Sequence, residues 1–236
     1  MISKRAIAKI RREVQDYWRD ESAKKYFLEM ARGHEIGHRI ADLVDEKTTA
    51  LLTVNYLTKH QHSARGARRV RSMGDVWLDQ NGICSPINVK TGIVGREGQP
   101  NLVSLKKLMR ALIGNQIDSY YLLMIKFDLS QVPPQCTTYF VDMLDYLDFV
   151  TFDSGPGQAM LKAAPFFSHI SSKAHAPNRS LNQKMERLLE LLEDGHQRLI
   201  ENRKRDLTWF QNAVREYLSF GGHRVTAETQ EALNLR

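Results

Sequence analysis

The stretch from Gly74 to Thr91 constrains the fold more than any other part of the chain. It contains two short segments in which apolar and polar residues alternate, separated by Asn81-Gly82. Alternation with a period of two is typical of a strand with one buried face, and Asn-Gly provides the positive φ angles of a tight hairpin turn. The stretch therefore predicts two antiparallel strands joined at this turn.

Polar side chains on the two predicted strands form a candidate site. Asp75 begins the first strand, whereas Asn88 and Lys90 lie two residues apart on the second and must share one face of it. A carboxylate and a carboxamide oxygen together suit a hard divalent cation such as Mg²⁺, and a neighbouring lysine can orient or activate a water molecule. The alternative is a solvent-facing hairpin whose polar residues only alternate with core residues.

Asp75, followed on the next strand by Asn88-Val89-Lys90, resembles the PD-(D/E)xK nuclease superfamily, and specifically its type II restriction endonucleases. The family pattern is Pro-Asp, a gap, then Asp or Glu, any residue and Lys. Here Gly74 replaces the Pro and Asn88 replaces the second acid, which leaves one fewer negative charge for the metal. The resemblance implies that Asp75, Asn88 and the Val89 carbonyl hold Mg²⁺, and that Lys90 orients the attacking water.

The same resemblance gives a meaning to two residues outside the hairpin. Members of the superfamily often carry an acid on the helix before the motif strands; Glu35 is the candidate here, and an exposed surface glutamate is the alternative. Several restriction enzymes have a Gly-rich segment with Gln after the core, similar to Gly155-Pro156-Gly157-Gln158. Gln158 is therefore a candidate contact to an adenine edge of DNA, whereas a tight surface turn also explains the glycines.

The segment His34-Glu35-Ile36-Gly37-His38 matches the H-E-x-x-H pattern of zinc proteases. Two histidines four residues apart share a helix face and can bind zinc, with Glu35 as general base. The extended pattern requires a Gly and a third His at the positions where this chain has Ala41 and Val44. A zinc metalloprotease is therefore the lesser alternative.

The chain is basic, and one interval concentrates the positive charge. The formal net charge is +7 and the pI is about 9.4, which favours a polyanionic partner. No acid occurs between Glu46 and Asp75. Because phosphate contacts supply most of the nonspecific affinity for DNA, this interval predicts a DNA-binding surface, with a solvated charged face as the alternative. The candidate DNA-binding residues in it are Lys59, Arg65, Arg68, Arg69 and Arg71.

The remaining composition fits a globular protein. The chain has 236 residues, 42% of them hydrophobic, which is enough for one sizeable core. No apolar run approaches the roughly 18 residues of a membrane span, and the N-terminus lacks the apolar core of a signal peptide, so we expect a cytoplasmic location. Cys84 and Cys136 form no CxxC pair, which predicts buried thiols rather than a disulfide or a zinc knuckle.

Hydrophobic periodicity predicts the other elements. Predicted helices cover residues 3–30, 33–45 and 100–113, and a helical pair follows Ser180, a suitable N-cap, with an interruption or bend at Gly195. Predicted strands beyond the hairpin cover residues 120–127, 137–143 and 146–152, and predicted loops cover residues 92–99 and 166–179. The order of helix, hairpin, helix and strand matches that of the nuclease core.

These predictions give an α/β fold in which a mixed central sheet is flanked by helices, with a restriction-endonuclease-like core. Residues 1–165 are expected to form the nuclease core with the N-terminal helices, and residues 166–236 a helical C-terminal portion packed on the same core. The expected activity is Mg²⁺-dependent, sequence-specific cleavage of double-stranded DNA, as in restriction-modification, by a homodimer or a monomer. The main alternative, motivated by Asn88, is a catalytically inactive DNA-binding protein on a nuclease-like fold.

Overall fold

A computed structural model describes residues 2–22, 24, 36–56, 73–80, 83–95, 98–153, 157–172 and 179–219. The chain divides into two compact units, Met1–Leu192 and Glu193–Arg236. The first unit contains two β-sheets and their covering helices, and the described part of the second unit is helical. Within these ranges, none of the helices has the length and apolar character that crossing a membrane requires.

The elements follow one another as helices, then strands, then helices. In chain order they are α1 (Lys4–Ser22), α2 (Ile36–Tyr56), β1 (Val76–Gln80), β2 (Ile83–Ile93), β3 (Asn101–Ser104), α3 (Leu105–Ile113), β4 (Tyr121–Asp128), β5 (Gln135–Asp142), a 3₁₀ segment (Met143–Phe149), β6 (Val150–Asp153), β7 (Gln158–Leu161), α4 (Ala163–Ser171) and α5 (Leu181–Ser219).

A four-stranded mixed sheet forms the centre of the first unit, with its strands in the order β1, β2, β4, β5. β1 and β2 pair antiparallel, which confirms the predicted hairpin strands. β2 and β4 pair parallel, and β4 and β5 pair antiparallel. A parallel pair needs a crossover connection, and the chain between β2 and β4 supplies it with β3 and α3. A second, three-stranded antiparallel sheet contains β3, β7 and β6.

Helices α1 and α2 cover one face of the central sheet. Ile10, Val14 and Trp18 recur at intervals of four residues on α1 and are fully buried. The Trp18 ring packs edge-on against Phe127 of β4, and its indole N–H donates a hydrogen bond of 2.7 Å to Thr48 of α2. The helical periodicity of the N-terminal segment therefore predicted its buried face correctly.

The opposite face of the central sheet packs against α3, α4 and the second sheet. Leu122 and Met124 of β4 face this side, whereas Leu123 and Ile125 face α1 and α2. β4 is thus buried on both faces, as its continuous apolar run predicted. Helix α3 buries Leu105, Leu108, Ala111 and Leu112 and leaves Lys106, Lys107 and Arg110 exposed.

The start of α5 confirms the predicted N-cap. Ser180 Oγ accepts a hydrogen bond from the Gln183 N–H at 3.3 Å, and Gln183 Oε1 accepts one from the Ser180 N–H at 2.8 Å. This reciprocal pair is a capping box. The helix then continues to Ser219, so the predicted interruption at Gly195 is wrong. A single glycine costs a helix about 1 kcal/mol, which a helix of 39 residues tolerates.

Other boundaries also differ from the prediction. Residues 101–104, predicted as helix, form β3 because they pair with β7, which lies far along the chain. Residues 146–149, predicted as strand, belong to the 3₁₀ segment, whose first turn is capped by Asp142 through the Leu144 N–H at 3.1 Å. Residues 166–171, predicted as loop, lie in α4, β2 extends into the predicted loop as far as Ile93, and α2 continues to Tyr56, past its predicted end.

Candidate active site

Asp75 lies directly before β1, and its carboxylate is held by the backbone of β2. The pairing of Val76 with Ile87 puts Asp75 across from Asn88. The Asp75 N–H donates to the Ile87 carbonyl at 2.8 Å, and Asp75 Oδ2 accepts a hydrogen bond from the Val89 N–H at 2.7 Å. Asp75 is exposed, and a carboxylate has about four acceptor positions, so this single side-chain bond leaves capacity for a cation.

Gly74 makes this close approach possible. A Cβ at position 74 would lie 2.9 Å from the Ile87 carbonyl oxygen and 3.1 Å from Cβ of Pro86. Any other residue, including proline, would have to push β2 away from the segment that carries Asp75. The absence of the Pro found in the family pattern is therefore required by the packing of this chain.

The Asn88 side chain is buried, with 5% of its surface exposed, and it is only partly satisfied. Its Nδ2 donates hydrogen bonds of 2.9 Å to the Leu102 carbonyl and to the Tyr120 hydroxyl. Because a carbonyl can only accept, the bond to Leu102 fixes which end of the amide is nitrogen. Asn88 Oδ1 is buried and has no hydrogen-bond partner in the described part of the chain. An unsatisfied acceptor of this kind costs about 1–3 kcal/mol, so it marks a place where a partner fits.

Tyr120 connects Asn88 to the surrounding core. Its side chain is fully buried, and burial raises the pKa of its hydroxyl far above the usual value; Asn88 lowers this pKa, and the charge of Asp75 raises it. The hydroxyl is therefore a neutral partner for Asn88. The sequence prediction treated Tyr120 only as the start of an apolar strand. A hydroxyl at the edge of a wholly apolar run was the signal that it needs a buried polar partner.

Asp45 of α2 is a second carboxylate at this site, and the sequence prediction missed it. Asp45 Oδ1 accepts a hydrogen bond of 2.9 Å from the Thr91 hydroxyl. Burial raises the pKa of Asp45 to about 6; Thr91 and Lys90 lower this pKa, and the negative charge of Asp75 raises it. Asp45 therefore lies within electrostatic reach of both Lys90 and Asp75.

The half-buried Lys90 completes the group of charged residues. It is paired with Met124 in the β2–β4 ladder, two residues after Asn88. Val89, between them, directs its N–H toward Asp75, and the N–H and C=O of a strand residue point to the same side, so the Val89 carbonyl faces Asp75 as well. The structure thus places Asp75 across the strands from the Asn88-Val89-Lys90 segment.

The donor atoms at this site are oxygens, which suits a hard cation such as Mg²⁺ better than zinc. They comprise the carboxylates of Asp45 and Asp75, the orphaned Asn88 Oδ1 and the Val89 carbonyl. No group of three or more His, Cys, Asp or Glu side chains able to hold a metal occurs in the described ranges. A cation here would therefore depend on the amide and backbone oxygens.

Several predicted site residues fall elsewhere. Gln158 begins β7 and pairs with Ser104 and Asp153 in the second sheet, after Gly157 with φ +69°. Lys47, at the start of the acid-free interval, lies 3.2 Å from Glu21 of α1, so its charge is balanced from outside the interval. The following predicted residues lie outside the described residues: Glu35 and His34 of the H-E-x-x-H match, and Lys59, Arg65, Arg68, Arg69 and Arg71 of the basic interval.

No protein-family model matches the chain, and no curated protein matches it either. The resemblance to the nuclease superfamily therefore depends on the Asp75 and Asn88-Val89-Lys90 motif and on the arrangement of these residues around β1 and β2.

Proposed function

We propose that the protein is a Mg²⁺-dependent endonuclease that cuts double-stranded DNA at a short recognition sequence, in the manner of type II restriction endonucleases. The single observation that carries the proposal is the juxtaposition of Asp75 with Asn88-Val89-Lys90 across neighbouring strands, with the unpartnered Asn88 Oδ1 beside it. A central mixed sheet between helical layers, with helix α2 ahead of the motif strands, is the setting that the nuclease core requires.

Each residue has a role that follows from its donor atoms. Asp75, Asn88 Oδ1 and the Val89 carbonyl would hold the cation, and Asp45 would supply the second carboxylate, which Asn88 cannot. When bound, the cation supplies a lowered pKa for water and a positive charge beside the phosphate. Lys90 orients the attacking water and offsets charge on the scissile phosphate. Water adds across one P–O bond of the DNA backbone, so no covalent intermediate is needed.

The proposal is tested by incubating the purified protein with plasmid and phage DNA in Mg²⁺ and, separately, in EDTA. We expect discrete fragments in Mg²⁺ and intact DNA in EDTA, and the sequenced fragment ends would give the recognition site. A smear in Mg²⁺ would retain the nuclease and remove its sequence specificity. Intact DNA under both conditions would overturn the proposal.

A second candidate function is a DNA-binding protein that has lost catalysis. The observation that favours it is that Asn88 is neutral and its Nδ2 is committed to Leu102 and Tyr120 inside the core. Retention of labelled duplex DNA in a gel-shift experiment, without cleavage in either Mg²⁺ or Mn²⁺, would support this candidate over the nuclease.

A further inference from the structure

A pocket of about 400 Å³ adjoins the candidate site through Met73, which precedes Asp75 by two residues. The other described residues that line it belong to α3 and the turn after it: Lys107, Arg110, Ala111 and Gln116. The pocket therefore lies beside the chain segment that carries Asp75, and none of the residues above has a role in the proposed hydrolysis.

The lining of this pocket combines two kinds of surface. Met73 and Ala111 are buried and give it an apolar floor. Lys107, Arg110 and Gln116 are exposed and bring two positive charges and one amide to its rim. The described lining residues include no acid to compete for the charges. An apolar floor with a cationic rim suits a ligand that joins a flat ring to an anion.

The size of the pocket decides between a bare anion and a larger ligand. Pockets that enclose organic ligands measure roughly 300–1,000 Å³, and this one falls within that range. A single phosphate ion would leave most of the space, and all of the apolar floor, without contacts. A nucleotide fills both parts, because its base can cover the floor while its phosphate meets the rim.

We propose that this pocket binds one unstacked nucleotide of the DNA strand, next to the phosphate at Asp75. Lys107 and Arg110 bind the phosphate of that nucleotide, its base lies over Met73 and Ala111, and Gln116 hydrogen-bonds the base edge. This inference rests on the proposed function, since it takes DNA as the substrate. Taking a base out of the stack costs a few kcal/mol, and contacts to the base offset that cost.

The first test measures DNA affinity in EDTA, so that cleavage does not interfere. Binding of a fluorescein-labelled duplex is followed by anisotropy for the wild type, Lys107→Gln, Arg110→Gln and the control Lys106→Gln, an exposed lysine on the same helix that does not line the pocket. We expect Lys107→Gln and Arg110→Gln each to raise the dissociation constant about tenfold. Each should also reduce the slope of log affinity against log salt by about 0.9, and Lys106→Gln should do neither.

The second test asks whether the ligand is a nucleotide or only an anion. The methionine methyl groups are labelled with ¹³C, and their NMR signals are recorded while deoxynucleoside 5′-monophosphates or inorganic phosphate are added. We expect the nucleotides to shift the Met73 methyl signal, assigned with Met73→Leu, and phosphate to leave it in place. Met143, buried in the same hydrophobic cluster but not lining the pocket, serves as the internal control.

The outcomes separate this inference from the proposed function. Wild-type cleavage in Mg²⁺ together with unchanged affinity in Lys107→Gln and Arg110→Gln would overturn the pocket assignment and leave the nuclease intact. Equal shifts of Met73 with nucleotide and phosphate, or none with either, would also overturn it. A wild type that binds DNA without cutting it, with weakened binding in both variants, would support the pocket while the nuclease proposal fails.

Discussion

Two buried polar clusters meet at Tyr120, and they differ in how completely they are satisfied. In the first, Asp142 Oδ1 accepts hydrogen bonds from the N–H groups of Tyr120 and Leu144, and Asp142 Oδ2 lies 3.3 Å from Lys184 Nζ. Lys184 also forms an ion pair of 2.5 Å with Asp145. Both carboxylate oxygens and the ammonium of this cluster therefore have partners.

The second cluster is built around Asn88 and leaves part of its bonding capacity open. The Tyr120 hydroxyl accepts from Asn88 Nδ2, but Asn88 Oδ1 has no partner within the described ranges, and the neighbouring Asp75 is exposed. Buried charges that serve stability are paired, because an uncompensated charge in the core costs several kcal/mol. The contrast teaches that incomplete satisfaction, rather than burial or charge, distinguishes the candidate site from structural polar groups.

The largest effects should come from removing Asp75 or Lys90. We expect Asp75→Ala and Lys90→Ala to reduce DNA cleavage by about three orders of magnitude or more, because several kcal/mol of transition-state stabilisation are lost. DNA binding should be largely retained in both, and the exposed Lys106→Ala serves as a charge-matched control. Cleavage rates are measured with plasmid in Mg²⁺. Comparable cleavage in either site variant would sink the assignment of that residue.

Removing the cation of the satisfied cluster should cost stability and leave chemistry intact. We expect Lys184→Met to lower the free energy of unfolding by about 3–5 kcal/mol near pH 8, because the ionised Asp142 then lacks its counter-charge. Denaturant unfolding checks this value, with the exposed Lys162→Met as control.

The effect of Lys184→Met should depend on pH in a defined direction. Burial raises the pKa of Asp142 to about 6, whereas Lys184 lowers it, so in the variant this pKa rises further. The missing counter-charge matters only while Asp142 is ionised, and at pH 5 folded Asp142 is protonated for the most part. The loss of stability should therefore be smaller at pH 5 than at pH 8. An equal loss at both values would mean that Lys184 acts through packing alone.

Asn88→Asp separates the open cluster from the satisfied one. In EDTA we expect the variant to lose about 1–3 kcal/mol, because a carboxylate cannot donate to the Leu102 carbonyl and its buried charge has no partner. Added Mg²⁺ should recover much of this loss if Asn88 Oδ1 faces the cation. Thermal unfolding with and without Mg²⁺ measures the recovery. If Mg²⁺ stabilises the variant no more than the wild type, Asn88 lies outside the cation's coordination shell.

The smallest effect is expected for Tyr120→Phe. The substitution removes one acceptor for Asn88 Nδ2, which keeps its bond to Leu102, so the free energy of unfolding should fall by about 0.5–1.5 kcal/mol. Cleavage should fall only a few-fold, because Asp75 keeps its bond to Val89. Chemical denaturation and plasmid cleavage together measure the two changes. A loss of cleavage as large as that of Asp75→Ala would make Tyr120 part of the chemistry rather than its support.

Local sequence signals predicted the parts of the site that local structure builds. The alternation around Asn81-Gly82 correctly predicted β1 and β2, and it gave Asp75 and Asn88 as neighbours across the strands. The continuous apolar run correctly predicted β4. Both patterns report on burial within a few residues of each position.

The parts that sequence could not predict depend on long-range packing. Which turn of α2 meets β2 is set by tertiary contacts, so no spacing in the sequence indicated that Asp45 would bond to Thr91. Residues 101–104 carry apolar residues at a spacing compatible with a helix, and they form a strand only because β7 is beside them. The unpartnered oxygen of Asn88 becomes visible only once Leu102 and Tyr120 have claimed its Nδ2.

The parallel pairing of β2 with β4 has a consequence for how the protein is made. The hairpin that brings Asp75 to Val89 joins neighbouring segments, and a hairpin forms within microseconds. The Asn88–Tyr120 bond spans 32 residues and requires the crossover through β3 and α3 to close first, which is intrinsically slower. During synthesis, at about 5–20 residues per second, Asp75 and Lys90 therefore leave the ribosome seconds before the strand that buries Asn88. The newly made chain carries an unfinished site until β4 docks.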